Sequence, residues 1–317
     1  MRRAQLPPVF SGSFWRYALA LTALAASVVL LVWISDPAPV LAVLRQADWI
    51  ALGVAAPCVI VLSWLARGIR WFSINAAATP GYGPLRAYLD NALGQSLAEI
   101  TPAQSGEALK IVLASRAHPG QSAGFAAMFA LERAMDTLVF GFIVMIPVVL
   151  MGAGWLPGAP SLTDWLAILC GFILMGGLLI GLYLIHGQRL SGYLKRAWGS
   201  VLQLGLRRFG TALLLTVINW ALIVLKWRIA LSAVGLDPSW MVLCALMGLV
   251  TLASLASLLP SGLGLGDATL AGLLLLTGSD PATAIVGAAA VRLLSFQILA
   301  VGVLHLGGRW MALRSGL

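Results

Sequence analysis

Apolar residues run in long blocks along this chain, and polar residues collect in the short gaps between them. A helix that crosses the hydrocarbon core of a bilayer needs about 20 consecutive apolar residues. By that measure full spans are expected at 17–35, 49–66, 122–150, 164–186, 210–231 and 283–306. Two further apolar segments are interrupted, 85–116 near Pro102 and 240–277 between Pro260 and Gly266. The first break reads Glu99-Ile-Thr-Pro102-Ala-Gln-Ser-Gly106-Glu107, the second Leu259-Pro260-Ser-Gly262-Leu-Gly264-Leu-Gly266-Asp267. Each is a Pro/Gly interruption followed by an acidic residue that opens a new apolar helix. Freed backbone N–H and C=O groups are tolerated at membrane depth only where they are buried in protein or line a cavity. Paired breaks in the two halves of a chain point to a transporter-like binding site.

Composition fixes the class. Sixty per cent of the residues are hydrophobic and 10% are charged, with a mean hydropathy of +0.95. A soluble domain cannot bury that much apolar surface, so the bilayer is the solvent. No stretch reads as a separate soluble catalytic domain, and the most polar segment, 186–209, is too short to fold alone. The run from Tyr17 to Ile34 exceeds the apolar core of a signal peptide and reads as a retained anchor.

The net charge of +9 is first a topology signal, because cytoplasmic loops carry the excess of Lys and Arg. Arg2, Arg3 and Arg16 place the N-terminus inside. Loop 36–48 is then outside, segment 67–86 inside, loop 151–163 outside, and the basic loop 187–209 inside. Arg309 and Arg314 end the chain inside. This topology closes only if both broken segments are re-entrant or both cross fully. Arms such as 268–277 are too short to span, which favours re-entry. No aromatic-interleaved basic patch suggests nucleic acid. Cys58, Cys170 and Cys244 form no CxxC, and His118, His186 and His305 are scattered singly, so no metal and no cofactor are expected.

The expected fold is therefore an all-α polytopic membrane protein. It has about six full transmembrane helices plus two re-entrant broken-helix hairpins, in one membrane domain over 1–317. Landmarks recur at a nearly constant offset: Trp71 with Trp227, Pro102 with Pro260, Glu107 with Asp267, Arg133 with Arg292. The halves, about 15–152 and 163–310, would form an inverted repeat.

Several residues carry two readings. Glu107, with Lys110 one turn on and Ser105 as N-cap, is either helix capping or a functional carboxylate at membrane depth. Asp267, following Gly266 like an N-cap, has the same duality. Glu132, Arg133 and Asp136 lie in one apolar span, where Arg133 and Asp136 can pair. Each charge costs about 2.5–3.5 kcal/mol or more near the bilayer centre, so none should face lipid. The three form a structural ion network, a polar cavity, or both. Arg292 lacks an acidic neighbour in sequence and needs Asp267, Glu107 or a ligand; its guanidinium suits phosphate. Arg70, Lys226 and Arg228 are expected near span ends, snorkelling to the interface. The glycines of the second break form no nucleotide motif; they would free the backbone and offer N–H groups to an anion. The tryptophans read as an interfacial belt.

Together these residues make the chain resemble the lysylphosphatidylglycerol synthase transmembrane-region family, a group of flippase-like integral membrane proteins. The resemblance runs through Arg-Gly-Ile-Arg70-Trp71, Pro102-x3-Gly106-Glu107-x2-Lys110, Glu132-Arg133-x2-Asp136, Pro260-Ser-Gly-Leu-Gly264-Leu-Gly266-Asp267 and Arg292. It covers roughly 15–310. Family members more often have Glu where Asp267 stands and a second Pro where Ser261 stands. The large soluble aminoacyl-transferase domain of full-length synthases is missing, so lysine transfer is not expected. The resemblance implies lipid movement between leaflets of a bacterial inner membrane.

The expected function is a lipid translocase, not an enzyme, for an anionic or phosphate-bearing lipid. Substrate would be held by Arg70, Glu107, Lys110, Arg133, Arg292, Gly264 and Gly266. Glu132, Asp136 and Asp267 would balance charge or relay protons, and Pro102, Gly106, Pro260 and Gly262 would break the hairpins. The alternatives are a partner or scaffold subunit of a lipid-biosynthesis enzyme and an intramembrane lipid-phosphate enzyme.

Overall fold

The computed structural model describes residues 37–76, 79, 81–151, 199, 201, 203–257 and 259–314. The spans expected at 17–35 and 164–186, and most of loops 151–163 and 187–209, lie outside the described residues. Among the described residues every regular element is a helix. Helix α1 is Pro37–Gln46. A π-helical turn, Ala51–Ala55, runs directly into α2, Ala56–Asn75. Next come α3 (Pro84–Ala98), a 3-10 turn (Pro102–Ala108), α4 (Leu109–Ala117) and α5 (Ser122–Met151). The second part holds α6 (Gly205–Ser232), α7 (Trp240–Ala256), a 3-10 turn (Pro260–Gly262), α8 (Leu265–Leu276) and α9 (Pro281–Arg314).

Among the described residues, three helices are long and apolar enough to cross a membrane: Ala51–Asn75, Gly205–Ser232 and Pro281–Gly307. They carry large apolar side chains outward, among them Leu62, Leu65, Leu214, Val217, Val303 and Leu304. Charged residues in the middle of the helices point the other way, whereas Arg207 and Arg208 at the start of α6 are exposed. Arg67, Arg70 and Arg292 are buried, as are Lys110, Glu107, Glu132 and Asp136 on neighbouring elements. That inside-out arrangement is what a lipid solvent selects, since charge must find protein partners while apolar groups face the hydrocarbon for free.

Two expectations about spans change. The second span does not stop at residue 66: α2 continues to Asn75 and carries Arg67 and Arg70 into the interior. Charge fails to end the helix because both guanidinium groups find buried carboxylates. Likewise, most of the loop expected at 36–48 is helix α1. Its Val40, with Ala47 beyond its end, packs with Ala230, Val286 and Leu294. Asp48 then caps the next helix, accepting from the N–H groups of Ile50 (3.0 Å) and Ala51 (2.9 Å).

Both broken segments fold back on themselves. α3 packs against its own 3-10 turn and against α4, α7 packs against α8, and the two 3-10 turns touch each other. The first tip depends on Gly106. A Cβ there would lie 2.6 Å from Ala98 N and from Leu97 O, so only hydrogen fits against the end of α3. The second depends on Gly262, which has φ +63° and faces Ser254 across the return. Each tip also holds a non-glycine residue in the left-handed region, Gln104 (φ 57°) and Ser261 (φ 51°). Such conformations persist only where surrounding structure over-determines them.

Substituting these glycines should therefore cost more than helix propensity predicts. Gly106→Ala and Gly262→Ala are expected to destabilise by about 1–3 kcal/mol through overpacking and strained φ. Gly141→Ala, where a Cβ meets nothing within 4 Å, is expected to gain about 0.5–1 kcal/mol. Thermal unfolding in detergent measures all three; equal effects at the three positions would contradict this account of the tips.

Candidate functional site

The interior between α2, the first tip, α4, α5 and α6 is occupied by charge. Arg70 is fully buried at the centre. Its Nε and Nη2 donate to Glu132 Oε1 at 3.0 and 2.6 Å. Its Nη1 donates to Asp136 Oδ1 and Thr216 Oγ1, each at 2.7 Å, and Nη2 also reaches Asp136 Oδ2 at 3.0 Å. Glu132 and Asp136, one helical turn apart on α5, thus share one guanidinium fork. Lys110, also fully buried, pairs with the other oxygen of Glu132. Its ammonium lies over the rings of Trp71 (4.7 Å) and Phe129 (5.2 Å).

A second layer faces inward from the first. Arg67 donates to Glu107 Oε1 at 2.9 Å and lies 4.0 Å from Asp136. Arg133 Nη2 stands 2.8 Å from Glu107 Oε2 and 2.6 Å from Asp136 Oδ2. Neither approach has hydrogen-bond alignment, and Arg133 Nε has no partner. With all groups ionised, the cluster contains four cations (Arg67, Arg70, Lys110, Arg133) and three carboxylates (Glu107, Glu132, Asp136).

The second tip builds a smaller cluster. Arg292 on α9 donates from Nε to Asp267 Oδ1 at 2.8 Å and from Nη1 to the Ser261 carbonyl at 3.0 Å. Ser261 Oγ donates across the junction of the tips to Glu99, and lies 3.3 Å from Ser295 Oγ.

Between the two clusters lies a cavity of about 240 Å³. Arg67, Glu107, Arg133, Asp136, Lys226, Asp267, Arg292 and Ser295 line it, together with Gln104, Ser261 and Gly262 of the two tips. Ligand pockets for drug-sized molecules are roughly 300–1,000 Å³. This one suits a headgroup, not a whole lipid.

The residues expected to bind substrate now divide. Glu107, Arg133, Arg292 and Gly266 line the cavity. Arg70 and Lys110 are enclosed by their partners and do not line it, and neither does Gly264. Asp136 and Asp267 reach the cavity, while Glu132 stays within the ion network. Three local expectations are corrected. Ser105 does not cap α4: the α-helix begins only at Leu109, the Gly106 N–H goes to Thr101 Oγ1 at 2.7 Å, and Glu107 turns to Arg67 and Arg133. Asp267 is not an N-cap but lies three residues beyond the cap Gly264, whose N–H it accepts at 3.1 Å. The N–H groups of Gly262, Leu263 and Gly264 all bond within the second tip, so these three do not offer themselves to an anion.

Snorkelling is overturned for Arg70 and Lys226. Arg70 is locked inside, and Lys226 lines the cavity. Arg228 does lie near a helix end, paired with Asp237 and stacked 5.2 Å from the Trp240 ring. Sequence reasoning missed Arg67, Thr216, Glu99, Gln95 and Lys226 as members of the site. Arg67 was within reach, since it sits one turn before Arg70 on the same face of α2.

The model of the lysylphosphatidylglycerol synthase TM region matches residues 17–302, and the chain belongs to that family. No curated protein and no solved structure matches it.

The ion network makes its own prediction. Arg70→Ala would leave two buried carboxylates uncompensated and is expected to cost about 3–5 kcal/mol. Arg292→Ala, with one carboxylate partner beside an open cavity, is expected to cost less. Thermal unfolding in detergent compares them; an Arg70→Ala protein as stable as wild type would refute the central role of this fork.

Proposed function

We propose that this member of the lysylphosphatidylglycerol synthase TM-region family moves an anionic, phosphate-bearing lipid between leaflets. The headgroup would occupy the cavity and the tails would stay in the surrounding lipid. One observation carries the reading: the two helix breaks converge on a single charged cavity inside an otherwise apolar helical protein. Broken helices meeting at a polar site between apolar spans are a recurring transporter arrangement.

The breaks are then re-entrant hairpins, inserted from opposite sides, within two inverted halves of about 15–152 and 163–310. Three facts support the repeat. Glu107 pairs with Arg133 and Asp267 pairs with Arg292, so landmarks matched in sequence form matched ion pairs. Gln104 and Ser261, at corresponding places in the two tips, share the left-handed conformation. Ser63 and Asn219, 156 positions apart like Trp71 and Trp227, hydrogen-bond to each other at 2.7 Å. Residues that touch their own counterparts lie on a symmetry axis. Both termini are assigned to the cytoplasm of a bacterial inner membrane, with Arg133 and Arg292 holding the headgroup and the carboxylates balancing charge. Movement, not covalent change, is the proposed activity.

A second reading is a partner subunit of a lipid-modifying enzyme. It is favoured by the complete internal pairing of Arg70 and Lys110, which a purely structural network also requires. Leaflet exchange separates the two. Liposomes carrying the purified protein are expected to exchange tail-labelled phosphatidylglycerol or polyprenyl phosphate. Arg133→Ala and Arg292→Ala are each expected to slow exchange by about tenfold or more, the loss of one charged contact. Exchange at wild-type rate in both folded variants would remove the cavity assignment. Folded wild-type protein that exchanges no lipid would favour the partner reading.

A further inference from the structure

The two halves do not match at one place, and the mismatch lies in the cavity. Shifting the first half by 156–160 positions carries Arg70 onto Lys226, Glu107 onto Asp267 and Arg133 onto Arg292. The same shift carries Glu132 onto Val291 and Asp136 onto Ser295. The second half therefore keeps two of the four cations, Lys226 for Arg70 and Arg292 for Arg133, and lacks the two carboxylates that close around Arg70. Val291, Ser295 and Lys226 all line the cavity.

The consequence is visible at Lys226. Arg70 has two carboxylates and a hydroxyl. The Lys226 ammonium has no hydrogen bond or ion pair within 4 Å among the described residues, and feels only the longer-range fields of Glu99 and Arg67. Other donors around the cavity also lack partners: Arg67 Nε, Gln95 Nε2, Arg133 Nε and Trp220 Nε1. These four come from α2, α3, α5 and α6 and want acceptors; against them stands one acceptor without a hydrogen bond, Glu107 Oε2. Counting both clusters with Lys226, six cations (Arg67, Arg70, Lys110, Arg133, Lys226, Arg292) stand against five carboxylates (Glu99, Glu107, Glu132, Asp136, Asp267). One positive charge is in excess over the whole assembly; it comes from the enclosed Arg70, Lys110 and Glu132 just behind the wall, since the charges that line the cavity balance, Arg67, Arg133, Lys226 and Arg292 against Glu99, Glu107, Asp136 and Asp267.

We infer that Lys226 anchors the headgroup phosphate and makes the cavity selective for a singly charged phosphodiester lipid without a cationic group. This rests on the translocase reading for the movement of that lipid but not for its binding. A single phosphodiester charge balances the excess. A zwitterionic headgroup would supply the same phosphate but bring an ammonium among Arg67, Arg292 and Lys226, leaving the excess uncompensated. Lys serves here as a point charge on a flexible stem, able to follow a phosphate as the headgroup shifts.

The test uses the full-length protein in detergent and in liposomes. Binding is read by the fluorescence of its tryptophans, including Trp220 and Trp227 at the cavity, titrated with short-chain phosphatidylglycerol and short-chain phosphatidylcholine. Leaflet exchange is read with the same headgroups carrying a tail label. Wild type is expected to prefer phosphatidylglycerol by about tenfold or more. Lys226→Met should abolish that preference, and Lys226→Arg should keep most of it. Ser295→Asp, which restores the carboxylate of the first half, should also weaken phosphatidylglycerol binding while retaining Lys226; it keeps the test alive if Lys226→Met does not fold. Preference in binding without any exchange would uphold the Lys226 assignment and refute translocation. Exchange that persists with an undiminished preference in folded Lys226→Met would overturn the assignment and leave translocation standing. Equal binding of both lipids by wild type would also overturn it.

Discussion

The structure depends on one buried guanidinium. Arg70 ties α2 to α5 through Glu132 and Asp136 and to α6 through Thr216. In lipid, apolar helix faces gain little by touching each other, since acyl chains are as apolar as leucine. Polar contacts, close packing and backbone satisfaction must decide which helices meet. A charge that cannot face hydrocarbon is then a strong positional instruction, and Arg70 offers five donors in a fixed fork to be matched. Glu132 passes the constraint to Lys110 on α4, and Asp136 and Glu107 pass it to Arg67 and Arg133. The position of the first tip follows from the pairing of Glu107.

The second tip is held differently. Arg292 fixes it through Asp267 and the Ser261 carbonyl, and its bond to the first tip is the Ser261–Glu99 hydrogen bond. A hydrogen bond to a charged group contributes about 1.5–3 kcal/mol, less than the cost of about 3–5 kcal/mol for breaking a buried ion pair. The junction between the tips is thus the weaker seam, and it borders the cavity. Strain at Gln104 and Ser261 is concentrated on that same seam.

Much of this was legible in sequence, for identifiable reasons. The helix breaks were readable because Pro and Gly leave few alternatives in an apolar run, and α5 was readable because its apolar run continues on both sides of Glu132, Arg133 and Asp136. The Arg133–Asp136 pair followed from the rule that a membrane charge needs a partner, and the same rule narrowed Arg292 to Asp267, Glu107 or a ligand, of which the structure takes Asp267. The end of α2 was not legible. Arg67 and Arg70 look like a cytoplasmic flank until their partners, 40 and 62 residues downstream, are known. Lys226 suffered the same misreading for the opposite reason. Snorkelling is the default for a lysine near a helix end, and only the three-dimensional arrangement puts it on a cavity. Capping rules misplaced Ser105 and Asp267 because a 3-10 turn precedes α4 and a glycine caps α8.

Under the proposed two-half organisation, the difference between the halves has a physical logic beyond any one residue. Two identical, fully paired clusters would fill the interior with mutually satisfied charge and leave no group needing a ligand. Two identical, unpaired clusters would place several like charges at membrane depth, each costing about 2.5–3.5 kcal/mol or more. One closed half and one open half avoids both. The paired cluster around Arg70 supplies the rigidity, while Val291 and Ser295, standing where the first half has carboxylates, leave Lys226 open. That arrangement keeps one cation without a close partner at the cavity and leaves the surrounding helix packing intact.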